Sequence, residues 1–319
     1  MLFSHVREDG RAVFFFPERD HGSVEVTGSF HGWRTPGAQL QRVEHGFLGE
    51  YLGVPGGEVE YKFIVDGRWV NDPQNPVQKG DNSLLYRGWE RGSVHHLRFR
   101  SPSLGQERGY VVYLPPGHGS GRRFPVLYLL HGALDWERTW LDKGSLPSAM
   151  DRLRLDGAIG EMIVVMPHDN GDLFRGDGRF VDYLARDLVG HVDYEFPTLA
   201  DPRHRALDGL STGGFTSIVV GAARHHVYRS VGGMSGCHDG RTFEAIRAHA
   251  GGMRGAGQRY LLSCGRDEPH KDDSRNVARV LGEHGVGADY TEGHGNHDWP
   301  TWRDAIWGHL RFHWGNIKP

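Results

Sequence analysis

The sequence has little of several features that would assign it to a specialised class of protein. Only two of its 319 residues are cysteine, so a disulfide framework is excluded and we expect free thiols in a reducing compartment. Neither sign of charge dominates, because 37 lysines and arginines stand against 40 aspartates and glutamates, a net charge of −3. Without a basic or acidic block, we expect neither a nucleic-acid partner nor an anionic membrane surface as partner.

Long hydrophobic runs are also missing. The apolar runs at 126–130 and 162–166 are far shorter than the roughly 20 residues of a membrane helix, so no membrane partner is expected. The opening stretch MLFSHVREDGR carries no basic segment followed by an apolar one, so we predict no secretory leader and a cytoplasmic protein. Apolar material is nevertheless sufficient for folding, since hydrophobic residues make up 38% of the chain.

The pattern of the sequence changes within 88–100. Before it, short β-branched and aromatic segments such as 12–16 and 58–65 alternate with turns, which predicts a small all-β, immunoglobulin-like sandwich. After it, apolar strands alternate with helical patterns, which predicts an α/β fold with a mainly parallel sheet covered on both faces. We therefore predict two domains, 1–92 and 93–319. The predicted helices are 148–155, 180–196, 214–224, 272–284 and 302–312, and the predicted strands are 110–114, 125–130, 162–166, 205–208 and 260–264.

One local motif carries chemistry. Gly209-Leu210-Ser211-Thr212-Gly213 follows the predicted strand 205–208 and opens a helix, so it fits the G-x-S-x-G turn that projects a nucleophilic serine. Small flanking residues leave room for the sharp turn. The positive end of the helix dipole lies where an oxyanion would form.

A serine nucleophile needs a base and an acid that orients the base, and α/β-hydrolases supply them in the order serine, acid, histidine. The strand 260–264 is followed by two carboxylates, Asp267 and Glu268, at the edge of the sheet where such folds bind ligands. Two histidines, His294 and His297, lie in a polar loop before the last helix. The loop after Leu129-Leu130-His131-Gly132 supplies one oxyanion N–H from Ala133 in this architecture, and Thr212 supplies the other.

The segment from about 95 to 319 resembles the esterase D, or putative-esterase, family of α/β-hydrolases, which includes feruloyl, acetylxylan and enterochelin esterases. The resemblance implies an esterase that uses Ser211, with His297 rather than His294 as the base. It selects Glu268 as the acid, with Asp267 as the close rival. The matching text is YLLHG (128–132), the stretch 183–196, GLSTGGF (209–215), CGRDEP (264–269) and HDWPTWRDAIW (297–307).

The first ninety residues resemble the glycogen-binding module of AMP-kinase β subunits, isoamylases and branching enzymes. The segments that carry this resemblance are GSFHGW (28–33), EYKFIVDGRW (60–69) and NDP (71–73). In the sugar-binding members two tryptophans stack on glucose rings while a lysine and an asparagine hydrogen-bond hydroxyls. The resemblance implies that Trp33, Trp69, Lys62 and Asn82 form a carbohydrate site, with an α-glucan as partner.

No metal and no cofactor are expected. The sequence has no H-E-x-x-H, and the histidine pairs 95–96 and 225–226 lack metal-ligand spacing. The stretch 169–172 has some features of a calcium loop but lacks its glutamate, so we expect a loop on the substrate side. Trp136 and Trp140, after the oxyanion loop, either line an acyl pocket or pack in the core.

The leading interpretation is a serine esterase that forms an acyl-enzyme with an aryl or acetyl ester, carbohydrate-linked esters included. Its partner is therefore a small-molecule or oligosaccharide ester. Two alternatives stay open. One is a siderophore trilactone esterase of the enterochelin type. The other is an α-glucan-binding protein whose hydrolase domain is not catalytic.

Overall fold

The computed structural model describes residues 4–7, 9–18, 20–54, 57–75, 78–86, 92–269 and 271–319. The chain divides into two compact units, residues 1–91 and 92–319. The predicted boundary region, 88–100, begins with residues that lie outside the described part of the chain. Among the described residues no helix is both long enough and apolar enough to cross a membrane.

The first unit is made of two antiparallel sheets that share one apolar core. Rings from the two sheets meet there, with centroids 5.1 Å apart for Phe14 and Tyr61 and 5.2 Å apart for Phe16 and Phe63. The predicted all-β character of this part is confirmed. One sheet has the order β1 (His5–Val6), β2 (Ala12–Phe16), β6 (Gly46–Tyr51) and β5 (Gln41–Val43); the other has β4 (Ala38–Gln39), β3 (Val24–Gly28), β7 (Glu58–Val65), β10 (Asn82–Tyr86) and β9 (Gln78–Lys79), with β8 (Arg68–Val70) paired to β7.

The second unit contains one eight-stranded sheet. Its first two strands run antiparallel to their neighbours and the other six are parallel, as the apolar strand patterns predict. The carboxyl ends of the parallel strands therefore meet at one edge. The order across the sheet is β11 (Ser93–Ser101), β12 (Gln106–Leu114), β14 (Ile163–Pro167), β13 (Val126–Leu130), β15 (Arg205–Gly209), β16 (Ser230–Met234), β17 (Arg259–Gly265) and β18 (Gly287–Gly293).

Helices cover both faces of this sheet, which confirms the predicted α/β-hydrolase fold. The helices are α1 (Thr139–Asp142), α2 (Leu146–Leu155), α3 (Arg179–Asp182), α4 (Val189–Glu195), α5 (Thr212–Ala223), α6 (Gly240–Gly255), α7 (Lys271–Glu283) and α8 (Trp299–Ile317). Successive side chains of β13 point to opposite faces. Tyr128 packs in the core formed with α5, α6 and α7, whereas Leu127 and Leu129 pack in the core formed with α1, α2 and α8.

Five of the strands and α-helices given above for the second unit are not in the sequence prediction, and one of them is the four-residue helix α1. Strands β11 and β18 lie at the two edges of the sheet, and their many exposed polar side chains hide the apolar pattern of a buried strand. Strand β16 has two glycines among its five residues, which weakens its strand signal. Helix α6 contains glycines in its interior, which lowers helix propensity.

Candidate active site

Ser211 lies at the turn between β15 and α5, at the carboxyl edge of the parallel sheet. Its backbone has φ +54° and ψ −119°, a combination that residues with a side chain rarely adopt. The turn is held from both sides: the Ser211 N–H donates to the Met234 carbonyl at 2.9 Å, and the Cys237 N–H donates to the Ser211 carbonyl at 3.2 Å. The strained turn is thus fixed by the chain that leaves the neighbouring strand β16.

The glycines of the motif are required by close backbone approach. A Cβ on Gly209 would lie 2.6 Å from the carbonyl carbon of Gly213, and a Cβ on Gly213 would lie 2.3 Å from the carbonyl oxygen of His131. A Cβ on Gly132 would lie 3.2 Å from the Cβ of Ser211. The turn at Ser211 therefore packs directly against the loop that follows β13.

Three side chains far apart in sequence form one hydrogen-bonded line. The Nε2 atom of His297 lies 2.9 Å from Oγ of Ser211, and its Nδ1 atom lies 3.0 Å from Oε2 of Glu268. Since a carboxylate only accepts, Nδ1–H donates to Glu268, which leaves Nε2 free to accept the Ser211 hydroxyl proton. This is the arrangement in which imidazole removes the proton of a serine nucleophile.

The Glu268 carboxylate is held in its ionised form. The side chain is 3% exposed. Burial acts to raise the pKa of Glu268, but hydrogen bonds from His297, from the Ser235 hydroxyl and from the Gly265 N–H (2.8 Å) outweigh it, so the pKa lies below its usual value. A charged acid at neutral pH fixes the imidazole tautomer and stabilises the imidazolium that forms during proton transfer.

The rival candidates lie elsewhere. Asp267 is exposed, and its N–H donates to the Gly295 carbonyl at 3.1 Å. His294 is exposed and lines a cavity of about 320 Å³ together with Cys264 and Trp302. The structure brings Glu268 and His297, rather than these two residues, into line with Ser211.

Both candidate oxyanion donors lie beside Ser211. Thr212 is the first residue of α5, and the N–H groups of a first helical turn have no partner within the helix. Ala133 follows Gly132, which packs against Ser211. His131 supports this loop: its Nδ1–H donates to the Gly132 carbonyl at 2.8 Å while its Nε2 accepts the Asp169 N–H at 3.1 Å. Burial lowers the pKa of His131, which favours this neutral tautomer.

Asp169, just beyond β14, is a buried carboxyl with an unusual titration. Its Oδ1 accepts the N–H groups of Gly171 (2.7 Å) and Asp172 (3.1 Å), whereas its buried Oδ2 has no hydrogen-bond partner. Burial raises the pKa of Asp169 to about 7. The loop 169–172 therefore carries a carboxyl that changes charge near neutral pH, next to the support of the oxyanion loop.

We expect Asp169→Asn to remove a pH dependence of stability. The pKa of Asp169 is higher in the folded than in the unfolded protein. The contribution of Asp169 to the free energy of unfolding is therefore fully present below about pH 4 and is lost as the pH rises toward 7. Relative to wild type, the variant should gain about 2–3 kcal/mol of unfolding free energy between pH 5 and pH 8. Urea unfolding at both pH values measures this, with the exposed Asp304→Asn as control. If the variant and wild type differ in unfolding free energy by the same amount at pH 5 and at pH 8, the raised pKa of Asp169 is contradicted.

The two tryptophans after the oxyanion loop have different surroundings. Trp140 is fully buried, and its indole N–H donates to the Leu130 carbonyl at 3.1 Å, so it packs in the core. Trp136 is 61% exposed, and its neighbour Leu134 is 95% exposed with φ +64°. The loop beside the oxyanion donors thus presents apolar surface to solvent.

Sequence reasoning missed the residues after β16. The hydroxyl of Ser235 donates to Glu268 and accepts the Trp302 indole N–H at 3.0 Å, so it connects the acid to α8. The Cys237 sulfur lies 3.5 Å from Oγ of Ser211. His238 is buried with neither ring nitrogen hydrogen-bonded, and burial lowers its pKa to about 4. These residues follow β16, which is the neighbour of the strand that leads to Ser211. Had β16 been recognised as a strand, this position would have made them candidates for the site.

The candidate carbohydrate residues of the first unit lie on one outward face. Trp69 pairs in register with Ile64 of β7, and residues paired in this way share a face. Lys62 is two residues before Ile64 and points to the same side. The ring of Trp33 lies 6.4 Å from that of Trp69 at an interplanar angle of 28°, and Trp69 is about half exposed.

Asn82 joins this face from the neighbouring strand β10. Its side-chain amide donates to Oε2 of Glu60 at 2.9 Å, and Glu60 precedes Lys62 by two residues. The Asn82 amide and the Lys79 ammonium lower the pKa of Glu60, in that order of effect. The face therefore combines two indole rings with amide, ammonium and carboxylate groups.

Comparison with known proteins gives a match for each unit. Residues 101–313, about two thirds of the chain, match the family model described as putative esterase. Residues 13–87 match the model of the glycogen recognition site of AMP-activated protein kinase.

Individual relatives agree with these models. An endo-1,4-beta-xylanase/feruloyl esterase of Xylanibacter ruminicola is 30% identical over 210 residues, which is 61% of this chain and 29% of that protein. The human 5'-AMP-activated protein kinase subunit beta-2 is 43% identical over 54 residues, which is 17% of this chain and 19% of that subunit. The chain thus spans less than a third of the length of either relative.

Solved structures share the fold. A ferulic acid esterase superposes with a TM-score of 0.66 at 22% identity, covering 71% of this chain and 99% of that one. The enterobactin esterase of Shigella flexneri superposes with a TM-score of 0.60 at 16% identity, covering 96% of this chain and 93% of that one.

Proposed function

Because the chain belongs to the putative esterase family, we propose that it is a serine carboxylic-ester hydrolase that forms an acyl-enzyme on Ser211. The observation that carries the proposal is the hydrogen-bonded line from Ser211 through His297 to Glu268, with contacts of 2.9 and 3.0 Å. The family accounts for a fold and a reaction class, whereas this hydrogen-bonded line supports the role proposed for each side chain.

Acylation begins with the transfer of the Ser211 hydroxyl proton to Nε2 of His297 while Oγ attacks the ester carbonyl. The C–O bond to the alcohol then breaks, and the imidazolium returns the proton to the leaving alkoxide. Water repeats the sequence on the acyl-enzyme and releases the carboxylic acid. Glu268 stays ionised throughout and compensates the charge on the imidazolium.

The oxyanion of each tetrahedral intermediate is stabilised by backbone groups. The N–H groups of Ala133 and Thr212 are the proposed donors, and the N-terminus of α5 adds its dipole. Loss of one such donor typically costs about 10²–10³ in kcat. Acylation and deacylation by this route need only these groups and water.

The substrate proposed is an aryl or acetyl ester, with a feruloyl ester as the first choice. Its support is the xylanase/feruloyl esterase relative together with the exposed apolar surface at Leu134 and Trp136. A flat indole next to the oxyanion donors suits a planar aromatic acyl group or a sugar ring.

The test is hydrolysis of p-nitrophenyl acetate, methyl ferulate and a feruloylated oligosaccharide, with a catecholate trilactone for comparison. Hydrolysis of the ferulates with kcat/KM above that for acetate supports the proposed acyl group. Preference for the trilactone would instead assign the siderophore alternative. Failure of the wild-type protein to hydrolyse any of the four esters would overturn the esterase proposal.

A second function, α-glucan binding, is proposed for the outward face of the first unit. Its support is the match to the glycogen recognition model together with the adjacent rings of Trp33 and Trp69. Indole faces bind the axial C–H groups of glucose, and Lys62 and Asn82 lie on the same face to hydrogen-bond hydroxyls. Binding would bring the esterase to a polysaccharide without taking part in the reaction.

We expect Trp33→Ala and Trp69→Ala to weaken glycogen binding by about three- to tenfold each, since each removes a stacking surface worth about 0.5–1.5 kcal/mol. Retardation in native gels containing glycogen or amylose measures the affinity. Leu52→Ala is the matched control, because Leu52 is an exposed apolar residue of the same unit. Unchanged retardation in both tryptophan variants would contradict the glucan site, whatever the outcome of the ester assays.

A further inference from the structure

A second cluster of titratable side chains lies inside the second unit, away from solvent. Asp208, at the end of β15, is fully buried, and its Oδ2 lies 2.6 Å from Nδ1 of His309 and 2.7 Å from Nε2 of His313. The two histidines are four residues apart on α8 and so lie on the same face of that helix. The carboxylate is thus held by two imidazoles from the last helix.

The cluster extends to two further strands. Nε2 of His309 lies 2.7 Å from the hydroxyl of Ser263 on β17, and Nδ1 of His313 lies 2.8 Å from the hydroxyl of Ser230 on β16. The result is an unbroken chain of five buried side chains, Ser263–His309–Asp208–His313–Ser230. It connects three strands to α8, and we call it the Asp208 network.

Every ring nitrogen and carboxylate oxygen of the Asp208 network has a partner. Since the carboxylate accepts, each imidazole donates from the nitrogen that faces Asp208 and accepts a serine O–H at the other. Burial acts to raise the pKa of Asp208, but His309 and His313 outweigh it and hold the pKa well below its usual range. Burial lowers the pKa of His313. The network therefore holds one carboxylate satisfied by N–H donors.

The same three side chains are a possible ligand set for a metal, because their ligand atoms lie within 4.8 Å of one another. The distances between these atoms fit hydrogen bonds better than metal coordination. Both nitrogens approach the same oxygen at hydrogen-bond distance, whereas a zinc ion at about 2.0–2.2 Å from each ligand would hold the ligands about 3 Å or more apart. The geometry of the cluster is therefore that of a hydrogen-bond network rather than of a metal site.

The Asp208 network adjoins the turn that carries the nucleophile. Oδ1 of Asp208 accepts the N–H of Gly209 at 2.7 Å, and Gly209 opens the turn to Ser211. A Cβ on Gly232 of β16 would lie 2.3 Å from Oδ2 of Asp208, so the carboxylate fills the space that a side chain would take. The strand end that leads into Ser211 is fixed by this carboxylate.

The helix that carries His309 and His313 begins next to the base. His297 lies two residues before the start of α8, and Asp298 caps that helix by accepting the Thr301 N–H. Helix α8 also contacts the acid, through the Trp302 indole and Ser235. The position of α8 against β15 therefore affects the separation of Ser211 and His297.

We infer that Asp208, His309 and His313 are positioning residues for the ester-hydrolysis reaction: their network sets the spacing between the Ser211 turn and the helix that follows His297. The inference rests on the proposed function. A displacement of about 1 Å in such a site can lower the rate about 10²-fold. Disruption of the network should therefore lower kcat while substrate binding, and so KM, changes little.

The chemistry of the side chains supplies matched variants. An asparagine amide nitrogen can replace Nδ1 of His309, and a glutamine amide nitrogen can replace Nε2 of His313, so His309→Asn and His313→Gln keep a donor to Asp208. The exchanged variants, His309→Gln and His313→Asn, have similar polarity but place the amide at the wrong distance. Removal of a buried donor altogether destabilises strongly, so these variants avoid leucine or alanine.

A further control separates positioning from stability. Gln258 is buried beside the same sheet, and its amide donates to the carbonyls of Gly221 (3.0 Å) and Tyr228 (2.8 Å). It lies before β17, at the end of the strand opposite to the Glu268 loop. Gln258→Leu should lower Tm and leave kcat within about threefold of wild type.

The experiment compares these variants, each made in the whole 319-residue chain, with wild type in three measurements. They are kcat and KM for p-nitrophenyl acetate, the rate of Ser211 labelling by a fluorophosphonate, and Tm. We expect the exchanged variants to lose about 10–100-fold in kcat and in labelling rate, with KM within about twofold. The donor-keeping variants should recover most of that loss at a similar Tm.

Two results would overturn the inference. One is that the exchanged variants lose Tm but keep kcat and labelling rate, as Gln258→Leu does. The other is one equivalent of zinc in the purified wild-type protein that is absent from the variants. Failure of the wild-type protein to hydrolyse the ester or to react with the fluorophosphonate would instead count against the proposed function.

Discussion

Replacing Ser211 with alanine should lower kcat for ester hydrolysis by about 10⁴-fold or more, with KM little changed. The reason is the loss of the only proposed nucleophile, while the groups that bind the substrate stay in place. Activity left over would come from the oxyanion donors and from binding. Initial rates with p-nitrophenyl acetate, together with the loss of fluorophosphonate labelling, measure the effect.

The matched control for this change is Ser217→Ala. Ser217 is a buried serine on α5, six residues after the nucleophile, and its hydroxyl lies 3.0 Å from the Gly214 carbonyl and 2.6 Å from that of Gly232. We expect this variant to lose stability but to keep kcat within about threefold. Equal hydrolysis by Ser211→Ala and wild type would end the proposed mechanism.

Replacing Glu268 with glutamine should lower kcat by about 10³–10⁴-fold. Both carboxylate oxygens of Glu268 accept hydrogen bonds, from His297 on one side and from Ser235 and Gly265 on the other. A glutamine amide has only one oxygen and carries no charge. The imidazole would therefore lose its fixed tautomer and the negative charge that compensates the imidazolium. Initial rates at saturating ester measure the effect, with circular dichroism as the check on folding.

Asp267→Asn is the control, because Asp267 is the neighbouring carboxylate and is exposed. It should retain kcat within about threefold. A larger loss in Asp267→Asn than in Glu268→Gln would make Asp267 the acid. The double variant Ser211→Ala/Glu268→Gln should be no slower than Ser211→Ala alone, because residues that act as a unit are not additive.

The sequence predicted the parts of the site that depend on local pattern. Gly209 and Gly213 mark the Ser211 turn because close backbone contacts leave no room for a side chain. Glu268 and His297 were found because each follows a predicted strand or precedes a predicted helix at the active edge. The choices of Glu268 over Asp267 and of His297 over His294, however, came from the resemblance alone.

The parts that the sequence did not predict depend on long-range contacts. Asp208 and His309 are 101 residues apart, and no local pattern links a strand-end carboxylate to histidines on a distant helix. Ser235 and Cys237 were missed because β16, with its two glycines, was not recognised as a strand. A chain of polar contacts across four elements requires the tertiary arrangement itself.

The Asp208 network also constrains the order of events during synthesis. Asp208 leaves the ribosome before the two imidazoles that hydrogen-bond its carboxylate, because His309 is synthesised 101 residues later. The first unit has its core within residues 1–91 and can close as soon as it emerges. Because His309 and His313 both lie on α8, the second unit cannot complete the Asp208 network before α8 has been translated.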